Sequence, residues 1–211
     1  MLFRDARLVV LNKPPGLPAH AGPRGGPSVE DWFPLLSRRR AGPWLAHRLD
    51  ADTAGCLVVA LTKTALIAAQ AEFAAGRAEK IYWAVVGGAP AEDSGVIDAP
   101  LRKASGRDGW RMVVDERGQR AVSGWRVLAR GNAMSLLEVR PRTGRTHQVR
   151  VHCAAIGCPV LGDPVYGAGE GKLQLLARAI TLHLSPPLAA TAPPPPHMAN
   201  ALAQLGIAES S

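Results

Sequence analysis

Short apolar blocks separated by glycine- and proline-rich stops set the rhythm of this chain, and helical spacing is confined to a few places. RLVVLNKPPG reads as a strand over 8–11 stopped by a turn at 12–16. GPRGGPS is a loop, and VEDWFPLLSRRR a short helical piece with a basic end. Residues 55–61 are apolar without interruption, the pattern of a buried strand. Thr62 or Thr64 can then cap a helix through ALIAAQAEFAAG that stops at Gly76, with Leu66, Ala69 and Phe73 on its core face. KIYWAVVGG is another strand, and 102–150 holds several short strands broken by SGRDG and DERGQ. The strand SLLEVRP leads into RTGRTHQVRVHCAAIG. Near the end LARAITLHLSP is a strand, and PPPPHMANALAQLG a proline-rich segment entering a short helix. Strands dominate, so the expected class is α+β rather than doubly wound α/β. No repeat or boundary is visible. We expect a single domain over 1–211, with 193–211 as its proline-rich segment and terminal helix.

Composition narrows the picture. Hydrophobic residues make up 47% of the 211, enough for a real core. Lys and Arg number 25 against 17 Asp and Glu, a net charge of +8, and most of the cations are arginine. Arginine's planar fork suits phosphate and nucleic acid, although an arginine-rich surface can also serve solubility alone. Three cysteines with no CxxC argue against a disulfide frame or zinc ribbon and for a reducing compartment. The N-terminus lacks the apolar stretch of a signal peptide, and no run approaches the roughly 20 apolar residues of a membrane helix. A cytoplasmic, non-membrane protein is expected.

Three segments concentrate chemistry. His47, Arg48 and Asp50 crowd at the mouth of the strand at 55–61. An acid there can simply cap a turn. Held partly dry, it needs a cation to stay ionised, and an ionised, positioned Asp can act as nucleophile or base. Arg145 or Arg150 could be that cation. In RTGRTHQVRVH, an extended chain puts Thr146, Gln148 and Arg150 on one face and His147, Val149 and Val151 on the other; a helix spreads Arg142, Arg145 and His152 around itself. Lys80 and Tyr82 alternate on one strand face, where Tyr82 is a core aromatic, a stacking ring or a proton relay.

Taken in order, VLNKPPGLPAH, HRLDADTAGCLVVALTK, AEKIYWAVVGG, RTGRTHQVRVHCAAIGCPVLGDPVYG and APPPPHM resemble the catalytic domain of the RluA-type RNA pseudouridine synthases, and no S4-like RNA-binding domain is expected beside it. The resemblance implies the pseudouridine synthase fold: a central, mostly antiparallel mixed sheet, flanking helices and an active-site cleft. It implies that Asp50 is the catalytic carboxylate and that Arg48 fills the space left by a flipped nucleotide. Tyr82 then packs on the target uracil and assists proton removal. Arg150, expected on a separate strand, ion-pairs with the catalytic Asp, and Arg145 and His147 shape the pocket and contact RNA. The chain departs from the pattern at Ala54, where serine is common, and at Leu176, where histidine is usual.

Pseudouridine formation is an isomerisation, so no cofactor and no metal is expected. The implied partner is ribosomal or transfer RNA, and the expected state is a monomer without an obligatory protein partner. The competing readings are a silent RNA-binding module of the same fold, a metal-dependent phosphoesterase using His47, Asp50, His147 and His152, and a glycosidase. The present Asp50 argues against the first, the absence of metal-ligand spacing against the second, and the lack of a second carboxylate candidate near the motifs against the third.

Overall fold

In a computed structural model, residues 1–22, 25–37, 41–106 and 109–207 are described. The basic end of VEDWFPLLSRRR and the centre of SGRDG lie outside them. The class is α+β, as expected.

The chain opens with β1 (Phe3–Arg4) and β2 (Leu8–Lys13), and a 3-10 turn at Val29–Trp32 runs into α1 (Phe33–Leu36). β3 (Trp44–Leu45) and β4 (Ala54–Ala60) bracket HRLDADT. The chain enters β4 through Gly55 at φ +109°, a backbone conformation open to glycine but strained for other residues. In α2 (Lys63–Ala74) the Thr62 hydroxyl accepts from Ala65 N–H at 3.3 Å, so Thr62 is the cap. There follow β5 (Glu79–Gly87), β6 (Ser94–Asp98), β7 (Leu101–Gly106), β8 (Gly109–Val114), β9 (Val122–Arg130) and β10 (Met134–Pro141). α3 (Gln148–Ala155), β11 (Leu175–Leu182), β12 (Leu188–Thr191) and α4 (Ala199–Gln204) complete the chain. Among the described residues no helix is long and apolar enough to cross a membrane.

Two compact units are formed. The first comprises 1–80 and 177–195. Its strands run in the order β1-β2-β4-β11-β12, with β3 also on β4. Every residue of β4 is buried, which explains its uninterrupted apolar run. Antiparallel pairing of β2 with β4 sets Lys13 opposite Gly55, at the head of the strand that follows Asp50.

The second unit comprises 81–176 and 196–211. Its antiparallel sheet runs β5-β10-β9-β6, and β7 and β8 form a separate hairpin. Val149 and Cys153 of α3 join the core formed with Ala84, Val86, Leu137 and Val139. Val151 joins a different cluster with Leu101 and Ala121. Valines two apart on opposite sides require a helix, since a strand would put both on one face. Arg150 is therefore helical, which corrects the expected strand. Both departures from the family pattern are core positions: Ala54 and Leu176 are 2% and 0% exposed.

Candidate active site

In the first unit, HRLD is pinned at both ends. Val58 N–H of β4 donates to His47 Nε2 at 3.0 Å, and the His47 ring rests 4.8 Å from Phe73 of α2. The accepting nitrogen must be unprotonated, so His47 is neutral with its proton on Nδ1. Burial, with a smaller push from Lys80, drives its pKa down to about 4. At the other end, Thr53 N–H donates to the Asp50 carbonyl at 3.2 Å and closes the turn. Gly16 N–H donates to the Ala51 carbonyl at 2.9 Å. Asp50 is half-buried and Arg48 is exposed.

Sequence reasoning assigned no role to the residue that locks this turn. Lys13, 1% exposed, donates from one ammonium to the carbonyls of Pro14, Leu17 and Ala51 at 2.8, 2.8 and 2.7 Å. All three of its donors are spent on backbone oxygens. Burial lowers its pKa to about 8, and the negative charges of Asp52 and Asp50 act against that fall. The carboxylate of Asp50 thus sits in the field of a buried cation. The signal was available in LNKPPG, where a lysine ends an apolar strand against two prolines.

His47 gives this turn a pH dependence. Between pH 6.5 and 4 the unfolded chain binds a proton at His47 and the folded chain does not, so stability falls as pH drops through that window. From pH 7 to pH 5 this amounts to about 2 kcal/mol at ~1.4 kcal/mol per pH unit. Urea midpoints at the two pH values check it, and His47→Gln, which keeps an acceptor for Val58, is expected to lose that part of the decline. An identical pH response in both proteins would refute the assignment.

In the second unit, Tyr82 is half-buried, pairs with Val139 across β5 and β10, and packs against the main core cluster. α3 is preceded by His147 at its N-cap, whose φ of +54° is strained for a non-glycine residue. Its ring is held from two sides: it stacks on Trp110 at 5.2 Å and meets the edge of Tyr166 at 5.6 Å. The Tyr166 hydroxyl accepts from Met112 N–H at 3.0 Å and shares a 2.8 Å hydrogen bond with His147 Nδ1.

Gln148 and His152, one turn apart, both reach Ser123. Gln148 Nε2 donates to Ser123 Oγ at 2.9 Å and to the Val122 carbonyl at 3.0 Å. Its Oε1 accepts from the Thr143 hydroxyl at 2.7 Å and from Arg145 N–H at 3.0 Å. Ser123 in turn reaches His152 Nδ1 at 2.9 Å, and His152 Nε2 donates to the Ala99 carbonyl at 3.1 Å. These contacts fix the loop carrying Arg145, whose Nε donates to the Arg120 carbonyl at 3.1 Å. They also use the nitrogens of His152 for structure, which removes it as a metal ligand.

Arg150 is 5% exposed and grips Asp163 with a two-pronged pair, Nε to Oδ2 and Nη2 to Oδ1, both at 2.7 Å. Asp163 also accepts from the N–H groups of Val165 at 2.9 Å and Tyr166 at 3.1 Å. Burial alone would raise the Asp163 pKa; the Arg150 fork and these two N–H groups outweigh it and hold the carboxyl below its ordinary value. The guanidinium lies 5.1 Å from the centre of the Tyr166 ring. Asp163 and Tyr166 belong to GDPVYG, which marked the resemblance but was given no role. Of the residues singled out from sequence, Asp50 and Arg48 belong to the first unit and Tyr82, Arg145, His147 and Arg150 to the second. Tyr166 contacts both His147 and Arg150.

Comparisons with known proteins converge. A family profile described as RNA pseudouridylate synthase matches residues 7–155. An uncharacterized RNA pseudouridine synthase of Zymomonas mobilis is 42% identical over 154 residues, covering 72% of this chain and 70% of that protein. Ribosomal large subunit pseudouridine synthase D of the same bacterium is 41% identical over 161 residues, 72% of this chain and 50% of that protein. The chain thus spans only about half the length of some curated relatives it matches. The solved structure of human RNA pseudouridylate synthase domain containing 4 aligns with a TM-score of 0.84 at 28% identity, over 98% of this chain and 92% of that one.

Proposed function

Because this chain belongs to the RNA pseudouridine synthase family, whose members are isomerases, we propose that it converts specific uridines of structured ribosomal or transfer RNA to pseudouridine, with Asp50 as the catalytic carboxylate. The reaction breaks the bond from uracil N1 to the ribose, turns the base and rejoins it through C5; the C5 proton then leaves and the freed N1 takes one up. Atoms and electrons balance within the nucleotide. Asp50 acts at the sugar or the base as nucleophile or general base. Arg150, whose guanidinium grips Asp163, is assigned to the catalytic residues on the strength of the family resemblance. Tyr82 offers a half-buried ring to the freed uracil and a hydroxyl for proton removal.

The target must leave its stack, at a cost of a few kcal/mol. Arg48, exposed two residues before Asp50, offsets part of that by filling the gap. Arg145 and His147 contact the RNA. The protein acts as a cytoplasmic monomer.

The pinned turn carries this reading. An acid carried on a backbone tied by three carbonyl bonds from one buried ammonium is held for chemistry rather than for solubility. Carbodiimide mapping of pseudouridine in total RNA, with and without the protein, tests it. Loss of one or a few specific stops establishes activity and target together. An unchanged map transfers the weight to a silent RNA binder.

A further inference from the structure

The second unit carries a built basic cleft in which only Arg145 has a part in the proposed function. It encloses about 350 Å³ and is walled by the β7–β8 hairpin, the turn at 117–119 and the loop at 144–146. Lys103, Arg117 and Arg145 line it, together with Arg102. Arg102 is neutralised, because Asp115 accepts from its Nε at 2.8 Å and its Nη2 at 2.6 Å. Among the described residues no carboxylate pairs with Lys103, Arg117 or Arg145. The cleft therefore holds three uncompensated positive charges within one small space.

Its walls are fixed. The turn 115–118 is closed by Gly118 N–H donating to the Asp115 carbonyl at 2.8 Å. Leu101 and Gln119 exchange two backbone bonds of 2.9 Å. A Cβ on Gly118 would meet the Leu101 carbonyl carbon at 2.5 Å, so the turn packs on the hairpin at a distance only glycine allows. Lys103 is steered too: its ammonium lies 4.7 Å from the centre of the Trp110 ring, which is itself stacked on His147. Like charges held close on a rigid frame repel one another unless an anion joins them.

The geometry points to this cleft as a phosphodiester site that grips the RNA strand flanking the target, with Lys103 and Arg117 as its charge-bearing groups beside Arg145. The inference rests on the RNA-modifying reading and assigns a surface that this reading leaves open. A polyanionic strand suits the site better than a single free anion, since the cleft is open along its rim, where Lys103 and Arg117 are exposed.

The test compares the full-length protein with Lys103→Gln/Arg117→Gln and with a control, Lys63→Gln/Lys172→Gln, which removes the same charge from exposed positions outside the cleft. Binding of a fluorescent 20-nucleotide oligouridylate is followed from 50 to 200 mM KCl, and pseudouridine formation is assayed on the RNA identified by mapping. In the cleft variant the slope of log K against log salt is expected to fall by about 1.4, about 0.7 for each of two lost single-strand phosphate contacts. KM should rise about tenfold with kcat unchanged, and the control should stay near wild type. A slope matching wild type, an equal fall in the control, or wild-type binding without salt dependence would each overturn the cleft. The two readings separate cleanly. A reduced slope in a protein that makes no pseudouridine keeps the cleft and rejects the isomerase. Wild-type KM in an active cleft variant does the reverse.

Discussion

Asp50→Asn is expected to take pseudouridine formation below detection while leaving RNA affinity within about tenfold, or about 1.4 kcal/mol. The asymmetry follows from how the turn is built. Asp50 contributes its main-chain carbonyl to the Thr53 bond, and the neighbouring Ala51 carbonyl takes the Lys13 ammonium and Gly16 N–H. None of these bonds uses the carboxylate. Asparagine keeps the shape and removes only the charge, so the turn survives and the chemistry does not. Thermal melts run beside turnover and binding decide the matter: a variant that unfolds makes Asp50 structural, and one that still turns over makes it dispensable.

Arg150→Met should destabilise the protein by about 3–5 kcal/mol, because it strands a buried carboxylate. The partner responsible is Asp163, 0% exposed and gripped by both prongs of the guanidinium. Methionine fills comparable volume but leaves Asp163 with only the N–H groups of Val165 and Tyr166. The second change, Asp163→Asn, removes the stranded charge. Arg150→Met/Asp163→Asn should therefore recover part of the loss, and the pair should be strongly non-additive in urea denaturation. Additive losses would show that the fork contributes little. Arg150→Lys is expected to fall between wild type and methionine, since a lysine keeps the charge but cannot make two parallel bonds. Loss of turnover in Arg150→Lys at near-native stability would separate the service of Arg150 to the reaction from its service to the fold.

The strands at β2, β4, β5 and β10 and the Thr62-started helix were legible because each is set by local apolar pattern and stop residues. The segment after RTGRT was not, because its donors and valines fit either period. Only packing chose, by sending Val149 and Val151 to different clusters and seating Gln148 and His152 on Ser123, 25 and 29 residues away in sequence. Asp50 itself stood out, since an acid, an imidazole and a guanidinium before a buried strand are conspicuous in any reading. The imidazole then took a different part: His47 is a neutral acceptor that fastens the turn to Val58.

By itself the sequence determined the α+β class, the buried strand behind HRLD, the basic character of the chain and the family resemblance. These depend on residue type and spacing along the chain, which a single sequence contains in full. Tertiary structure alone decided that Lys13 spends its ammonium on three carbonyls, that Arg150 is a helical residue gripping Asp163, and that Lys103, Arg117 and Arg145 share one cleft. Those facts depend on which distant backbone oxygens and side chains come within about 3–6 Å. A long, many-jointed lysine or arginine carries no mark in the sequence of where its charged end will be held.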